Sequence, residues 1–155
     1  MIFTTKAEYG VRLLIQLGVQ GGKTPVSLKS VAAAEGMPLA YLERIAALLK
    51  KAGLVESTRG AHGGYVLAQP AEEITMDRAV LALEGAIAPM ECFNDDFNFT
   101  GDSRVACSHP EGQHCATKLM WTRVQLGVIK SLQRTTLAEL VAFQTLDSHS
   151  PLIHG

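Results

Sequence analysis

The sequence predicts a mainly α-helical fold with a small β-hairpin, and three observations carry that expectation. Two short helical patterns meet at a tight turn around Gly36. Two β-capable runs then flank a glycine-rich connector between residues 54 and 68. After residue 115 a long amphipathic helical pattern returns. A helix-turn-helix followed directly by a hairpin is a winged helix-turn-helix. The late helix adds a long C-terminal dimerisation element to it.

Each element has a local reason. From Thr5, apolar or small residues recur near a 3.6-residue period at Tyr9, Leu13, Leu14, Leu17 and Gly18, and Gly21-Gly22 stops the helix. Ser27 is a good N-cap for a short helix carrying Leu28, Val31 and Ala32 inward as far as Glu35. Pro38 suits the first turn of the next helix, where its missing N–H is not needed. That helix runs through Tyr41, Leu42, Ile45, Leu48 and Leu49 to Gly53. The runs Leu54–Thr58 and Gly64–Ala68 enclose Arg59-Gly60-Ala61-His62-Gly63, which makes the wing. Thr75 through Leu83 reads as a further short helix.

Residues 89–115 show no period and hold all three cysteines, and a loop that long inside a small domain is usually functional or disordered. From Cys115 to Val141 an apolar stripe of Leu119, Trp121, Val124, Val128, Ile129 and Leu132 predicts one long helix. So little chain remains to cover it that a second copy is the expected partner. The resulting organisation is a winged helix-turn-helix over 1–70, a short helix and connector over 71–88, a cysteine-bearing loop over 89–115, the dimerisation helix over 116–142 and a mobile tail over 143–155.

Composition narrows the function. At 47% hydrophobic and 19% charged the chain can bury a core and is too weakly charged for a disordered one. No apolar run approaches the roughly 18 residues of a membrane span, and Met1-Ile2-Phe3-Thr4-Thr5-Lys6 is not a signal peptide, so no membrane and a cytoplasmic location are expected. Three cysteines cannot all pair within one chain. The net charge of −1 hides an asymmetry: residues 1–70 hold 8 Lys/Arg against 4 Asp/Glu (+4), and residues 71–155 hold 6 against 11 (−5). The first half can approach a polyanion that the second would repel. A Gly-rich phosphate loop, a nucleophile elbow and a His-Glu-x-x-His motif are all missing, so neither an enzyme nor a small-molecule substrate is expected.

Thr4-Thr5-Lys6-Ala7-Glu8-Tyr9-Gly10-Val11-Arg12, Tyr41-Leu42-Glu43 and the wing Arg59–Tyr65 together resemble the Rrf-two family of bacterial winged-helix regulators, over residues 1 to about 142. The resemblance implies a homodimeric transcription regulator, a repressor, that binds double-stranded DNA. It also implies an iron–sulfur cluster (2Fe–2S or 4Fe–4S) held by three cysteines, as in the IscR-, NsrR- and RirA-like branches. Here those would be Cys92, Cys107 and Cys115, and Met90–Asp96 looks most like the iron-responsive branch. The gaps of 14 and 7 residues are longer than in the IscR- and NsrR-like branches. Where IscR-like proteins place a ligand histidine this chain has Lys118, whose ammonium has no lone pair for iron.

By the same resemblance and by position, Pro38, Ala40, Tyr41, Glu43 and Arg44 face the major groove, with Glu43 placed to accept from a cytosine amino group. Arg59, with Gly60 and His62 beside it in the wing, is placed for a minor groove. Lys6, Lys29, Lys50 and Lys51 are expected phosphate contacts, the competing reading being ordinary solvated charge. Thiolates suit iron–sulfur clusters, and Cys115 at a helix start gains thiolate character from the helix dipole. Zinc remains an alternative for three cysteines and a histidine. For a fourth ligand, relatives point to Glu8, whose rival role is the capping box Thr5-x-x-Glu8. His109 and His114 are the other choices within the cysteine loop, and a solvent or thiol ligand is the remaining one. Trp121, Val124, Val128, Ile129 and Leu132 are expected in the dimer interface. The rival functions are a nitric-oxide or thiol-redox sensing repressor on the same scaffold and, from another class, an iron–sulfur carrier or protein-binding adaptor without DNA function.

Overall fold

The computed structural model describes residues 3–88 and 116–147. In chain order the elements are α1 (Thr5–Val19), α2 (Leu28–Glu35), α3 (Leu39–Lys51), β1 (Val55–Thr58), β2 (Gly64–Leu67), α4 (Met76–Glu84), α5 (Ala116–Arg134) and α6 (Leu137–Asp147). The winged helix-turn-helix is therefore present where the sequence places it. No described helix is long and apolar enough to cross a membrane.

Helix α1 buries Ala7, Gly10, Leu13, Leu14 and Leu17 on one stripe. Its N-cap is Thr4, whose hydroxyl accepts from the Lys6 amide at 3.2 Å. The expected Thr5–Glu8 capping box does not form, because the helix starts one residue earlier than that box requires. Glu8 instead accepts from Arg12 one turn on, at 2.7 Å. The carboxylate at the α1 start comes from far away in sequence: Glu84 accepts from the Thr4 amide at 3.0 Å and from the Thr4 hydroxyl. A negative charge there also complements the helix dipole. Two glycines let α1 be crossed closely. A Cβ on Gly10 would lie 2.3 Å from Leu83 Cδ1 of α4, and one on Gly18 would lie 2.5 Å from Val141 Cγ2 of α6.

Ser27 caps α2 by accepting from the Ser30 amide at 3.1 Å, and Gly36 leaves the helix in the left-handed region at φ 65°. A side chain would be strained there, which is why the turn carries glycine. Pro38 sits at the N-cap of α3 rather than inside its first turn. The strands pair antiparallel from Val55↔Leu67 to Thr58↔Gly64. An isolated antiparallel bridge from Val26 to Tyr65 ties the segment before α2 to β2, and no sequence pattern announces it. The core joins α1, α2, α3, α4 and the start of α6, with Leu13, Leu14, Leu17, Leu42, Ile45, Leu49, Leu54, Ile74 and Leu137 fully buried.

The single helix expected over 116–142 is in fact two. The break falls at Thr135-Thr136, where the backbone is taken over by tertiary bonds: Met76 N–H donates to Thr135 O at 3.0 Å and Leu137 N–H to Ile74 O at 2.8 Å. Thr136 then starts α6 with a capping box. Its amide donates to Glu139 at 2.8 Å, and its hydroxyl accepts from the Glu139 amide at 3.3 Å. Helix α6 turns back onto α1 and reaches Asp147, so residues 143–147 are helical rather than tail. Helix α5 lays Ile129, with Val128 and Leu132 beside it, against Val80 and Ile87. Within this joint Gln125 is buried and donates its amide to Ile87 O at 2.7 Å.

Candidate nucleic-acid interface

Helix α3 buries Leu42, Ile45, Ala46 and Leu49 against the core. Helical geometry therefore turns Ala40, Glu43, Arg44, Ala47 and Lys51 to the other side, and all five are exposed. Pro38 and Leu39 are exposed at the tip. Glu43 and Arg44 thus occupy the face that a groove would meet. Ala47 shares it and was not singled out from sequence, because an alanine carries no chemical signal. Tyr41 belongs only partly to this face. Its ring is half-buried and meets Tyr9 edge-on with centroids 5.8 Å apart, so it also fixes α3 on α1.

The wing is attached to the recognition helix directly. Lys50 donates to the Ser57 hydroxyl at 2.6 Å, joining the end of α3 to β1. This lysine is therefore engaged within the chain, while Lys51 is exposed. Both also lie in the last turn of α3, where a cation favours the helix dipole. At the wing tip the Thr58 hydroxyl donates to Gly64 O and accepts from the Gly64 amide, each at 3.2 Å. Gly60 takes φ 117°, and its carbonyl accepts from the Gly63 amide at 3.0 Å. The tip is thus closed on itself, and it presents Arg59, Gly60 and His62 as exposed groups. Lys29 is exposed beside the Ser27 cap of α2, whereas Lys6 is half-buried in the first turn of α1. Replacing Lys51 by alanine is expected to weaken binding to all DNA sequences equally. It should also lower the slope of log affinity against log salt by about 1, read from titrations at several salt concentrations.

Of the metal-ligand candidates, Cys92, Cys107, Cys115, His109 and His114 lie outside the described residues. Glu8 is exposed on α1, with Arg12 bridging it to Glu35 of α2 at 3.5 Å. Among the described residues no three His, Cys, Asp or Glu side chains converge as a metal site. The expected dimer residues divide. Ile129, Val128 and Leu132 pack within the protomer, which corrects the expectation that α5 has little of its own chain to meet. Trp121 is half-buried. Val124 is exposed, as are Leu119, Met120 and Leu126, which leaves an apolar surface on α5.

An exposed helix face with an adjoining wing defines a winged-helix DNA-binding protein, and the comparisons with known proteins give its family. A family model described as an iron-dependent transcriptional regulator, Rrf2, matches residues 3–143. The chain belongs to the Rrf2 family of transcription regulators. It is 38% identical over 141 residues to protein rrf2 of Nitratidesulfovibrio vulgaris, covering 91% of this chain and 87% of that one. The solved structure of CymR, the global cysteine regulator of B. subtilis, superposes with a TM-score of 0.73 at 34% identity, covering 92% of this chain and 98% of that one. The structure of T. potens IscR gives 0.71 at 31% identity, covering 100% and 94%. These relatives are transcription regulators, and no catalytic family is indicated.

Proposed function

We propose that the protein is a homodimeric repressor whose promoter affinity is set by an iron–sulfur cluster on Cys92, Cys107 and Cys115. The donor set fits such a group: three thiols in one segment, the last of them one residue before α5, supply the soft ligands that iron–sulfur chemistry requires. Glu8 is the fourth ligand in this reading. It is exposed, and its ion-pair partner among the described residues, Arg12, also has Glu35 to pair with, so the carboxylate can be released. When bound, the cluster supplies a redox- and iron-sensitive crosslink between its ligands. The rest is done by the chain. Gln125 and the Val80–Ile87–Ile129 cluster couple the connector ahead of the cysteine segment to α5, and α4 couples α5 to α1. Such a crosslink would fix the angle between the two recognition helices, and half-sites about 34 Å apart tolerate little error in it.

The observation that carries the reading is the position of the cysteine segment in the chain, between α4, which follows the winged helix-turn-helix, and α5 with its exposed apolar residues. Double-stranded DNA and a second copy are the partners. The test is a titration at physiological salt of promoter DNA against random DNA of the same length. Promoter affinity at least a hundredfold tighter is expected; equal affinities would leave a carrier or adaptor as the better account. A thiol switch is the second reading, favoured by the relatedness to CymR, of which a Staphylococcus aureus structure in an oxidised form is 34% identical to this chain. Binding that responds to oxidant with no metal present would select it.

A further inference from the structure

We propose that the tip of α3 reads thymine methyl groups, so that each operator half-site carries thymine beside the base pair met by Glu43 and Arg44. The inference rests on α3 being the groove-reading helix and assigns the chemistry of what its first turn reads.

Pro38, Leu39 and Ala40 are three consecutive exposed apolar residues at the leading end of α3. Three such residues in a row on a free surface go against the ordinary patterning of a soluble domain and call for a functional reason. Leu39 is 38% exposed, while Met37 and Leu42 on either side of the tip are buried at 6% and 0%. The core has thus taken its share of the local apolar side chains and left these three outside. None of them has a hydroxyl, amide or charge. The N-cap position makes no side-chain hydrogen bond, because proline has no group to make one. Pro38, Leu39 and Ala40 therefore offer no side chain that could read a donor or an acceptor on a base edge, and the hydroxyl-bearing residue of the first turn, Tyr41, is half-buried with its ring against Tyr9.

In the major groove the one apolar feature is the C5 methyl of thymine, and small apolar side chains are its matching contact. The polar readers come next along the helix. Glu43 and Arg44 follow Ala40 by three and four residues, a rise of about 4.5–6 Å. That distance is about one to two base-pair steps. Thymine is accordingly expected within one or two base pairs of a C·G pair whose cytosine amino group donates to Glu43 or whose guanine edge Arg44 reads.

The experiment starts by selecting an operator from a random library with the full-length protein. Each thymine is then replaced singly by deoxyuridine, which removes the methyl and keeps every hydrogen-bonding group. One or two positions per half-site are expected to lose about three- to fivefold in affinity, the size of one buried methyl. In Leu39→Ser, a change at an exposed position, the same positions should distinguish thymine from uracil by less than twofold, with the thermal melt unchanged. Deoxyuridine tolerated at every position, while altering the Glu43-facing base pair still costs tenfold, would overturn the proposal and leave α3 as the reader. A library that yields no preferred sequence, or a preference that survives Glu43→Ala and Arg44→Ala together, would overturn the placement of α3 itself and the proposal with it.

Discussion

Cys107→Ala is expected to yield a folded dimer whose promoter affinity no longer responds to loading or loss of the cluster. In the natural protein the two states should differ by about tenfold or more, within the range of typical allosteric couplings. In the variant the ratio should fall below twofold. The cause is stoichiometric, because Cys107 is one of only three thiols in the chain and its loss leaves a cluster with two. The fold rests on other residues, namely the core of α1, α3 and α4, and the proposed dimer would use the exposed apolar surface of α5. Anaerobic anisotropy titrations before and after oxidation, with sedimentation to verify the dimer, measure both halves of this expectation. A variant that still switches tenfold would remove the cysteines from the mechanism.

The second large effect is structural and concerns the seat of the wing. A Cβ at position 64 would lie 2.4 Å from Val26 O and 2.6 Å from Val26 C, both backbone atoms that cannot move aside as a side-chain tip can. Gly64→Ala must therefore push β2 away from Val26. The bonds at risk are Val26 N–H to Tyr65 O at 3.0 Å and Tyr65 N–H to Val26 O at 2.8 Å. Two lost backbone hydrogen bonds cost about 2 kcal/mol. The displaced wing would carry Arg59 away from the minor groove expected for it, so specific affinity should drop at least tenfold. A melting curve and a promoter titration check the two consequences separately. Unchanged values in both would mean that the Val26 bridge does not position the wing.

The parts of the fold that were legible in the sequence are those written by local chemistry. Ser27 before an apolar run, Gly36 after it and the glycine-rich stretch between β1 and β2 each act within a few residues, so the helix-turn-helix and the hairpin could be placed from them. What could not be read depends on partners far away. The carboxylate that accepts from the N-cap residue of α1 is Glu84, 80 residues on, and not the local Glu8 that fits such a role on paper. The break between α5 and α6 is made by Ile74 and Met76 holding the backbone at 135–137. Thr136-x-x-Glu139 was a local signal for it, masked by an apolar period that runs through the break.

The site divides in the same way. That Glu43 and Arg44 face outward follows from helical spacing, since Leu42, Ile45 and Leu49 fix which side faces inward, while the groove assigned to them came from the family resemblance. That Lys50 is bonded to Ser57 and Tyr41 rests on Tyr9 needed coordinates, because spacing cannot show which charges and rings are already engaged. An apolar stripe likewise does not reveal what covers it. On α5 the stripe was read as one surface, yet Ile129 meets Val80 and Ile87 within the chain, and Val124 remains outside.

The central claim is that the three cysteines carry an iron–sulfur cluster, and metal analysis tests it most directly. The protein is purified without oxygen, its iron, zinc and acid-labile sulfide are determined, and a visible spectrum is recorded on the same sample. Iron and sulfide in equal amounts, with a brown chromophore that is lost in Cys107→Ala, is the result this account predicts. Zinc in place of iron, or no metal at all after anaerobic handling, would contradict it and leave a winged-helix repressor controlled by thiol chemistry.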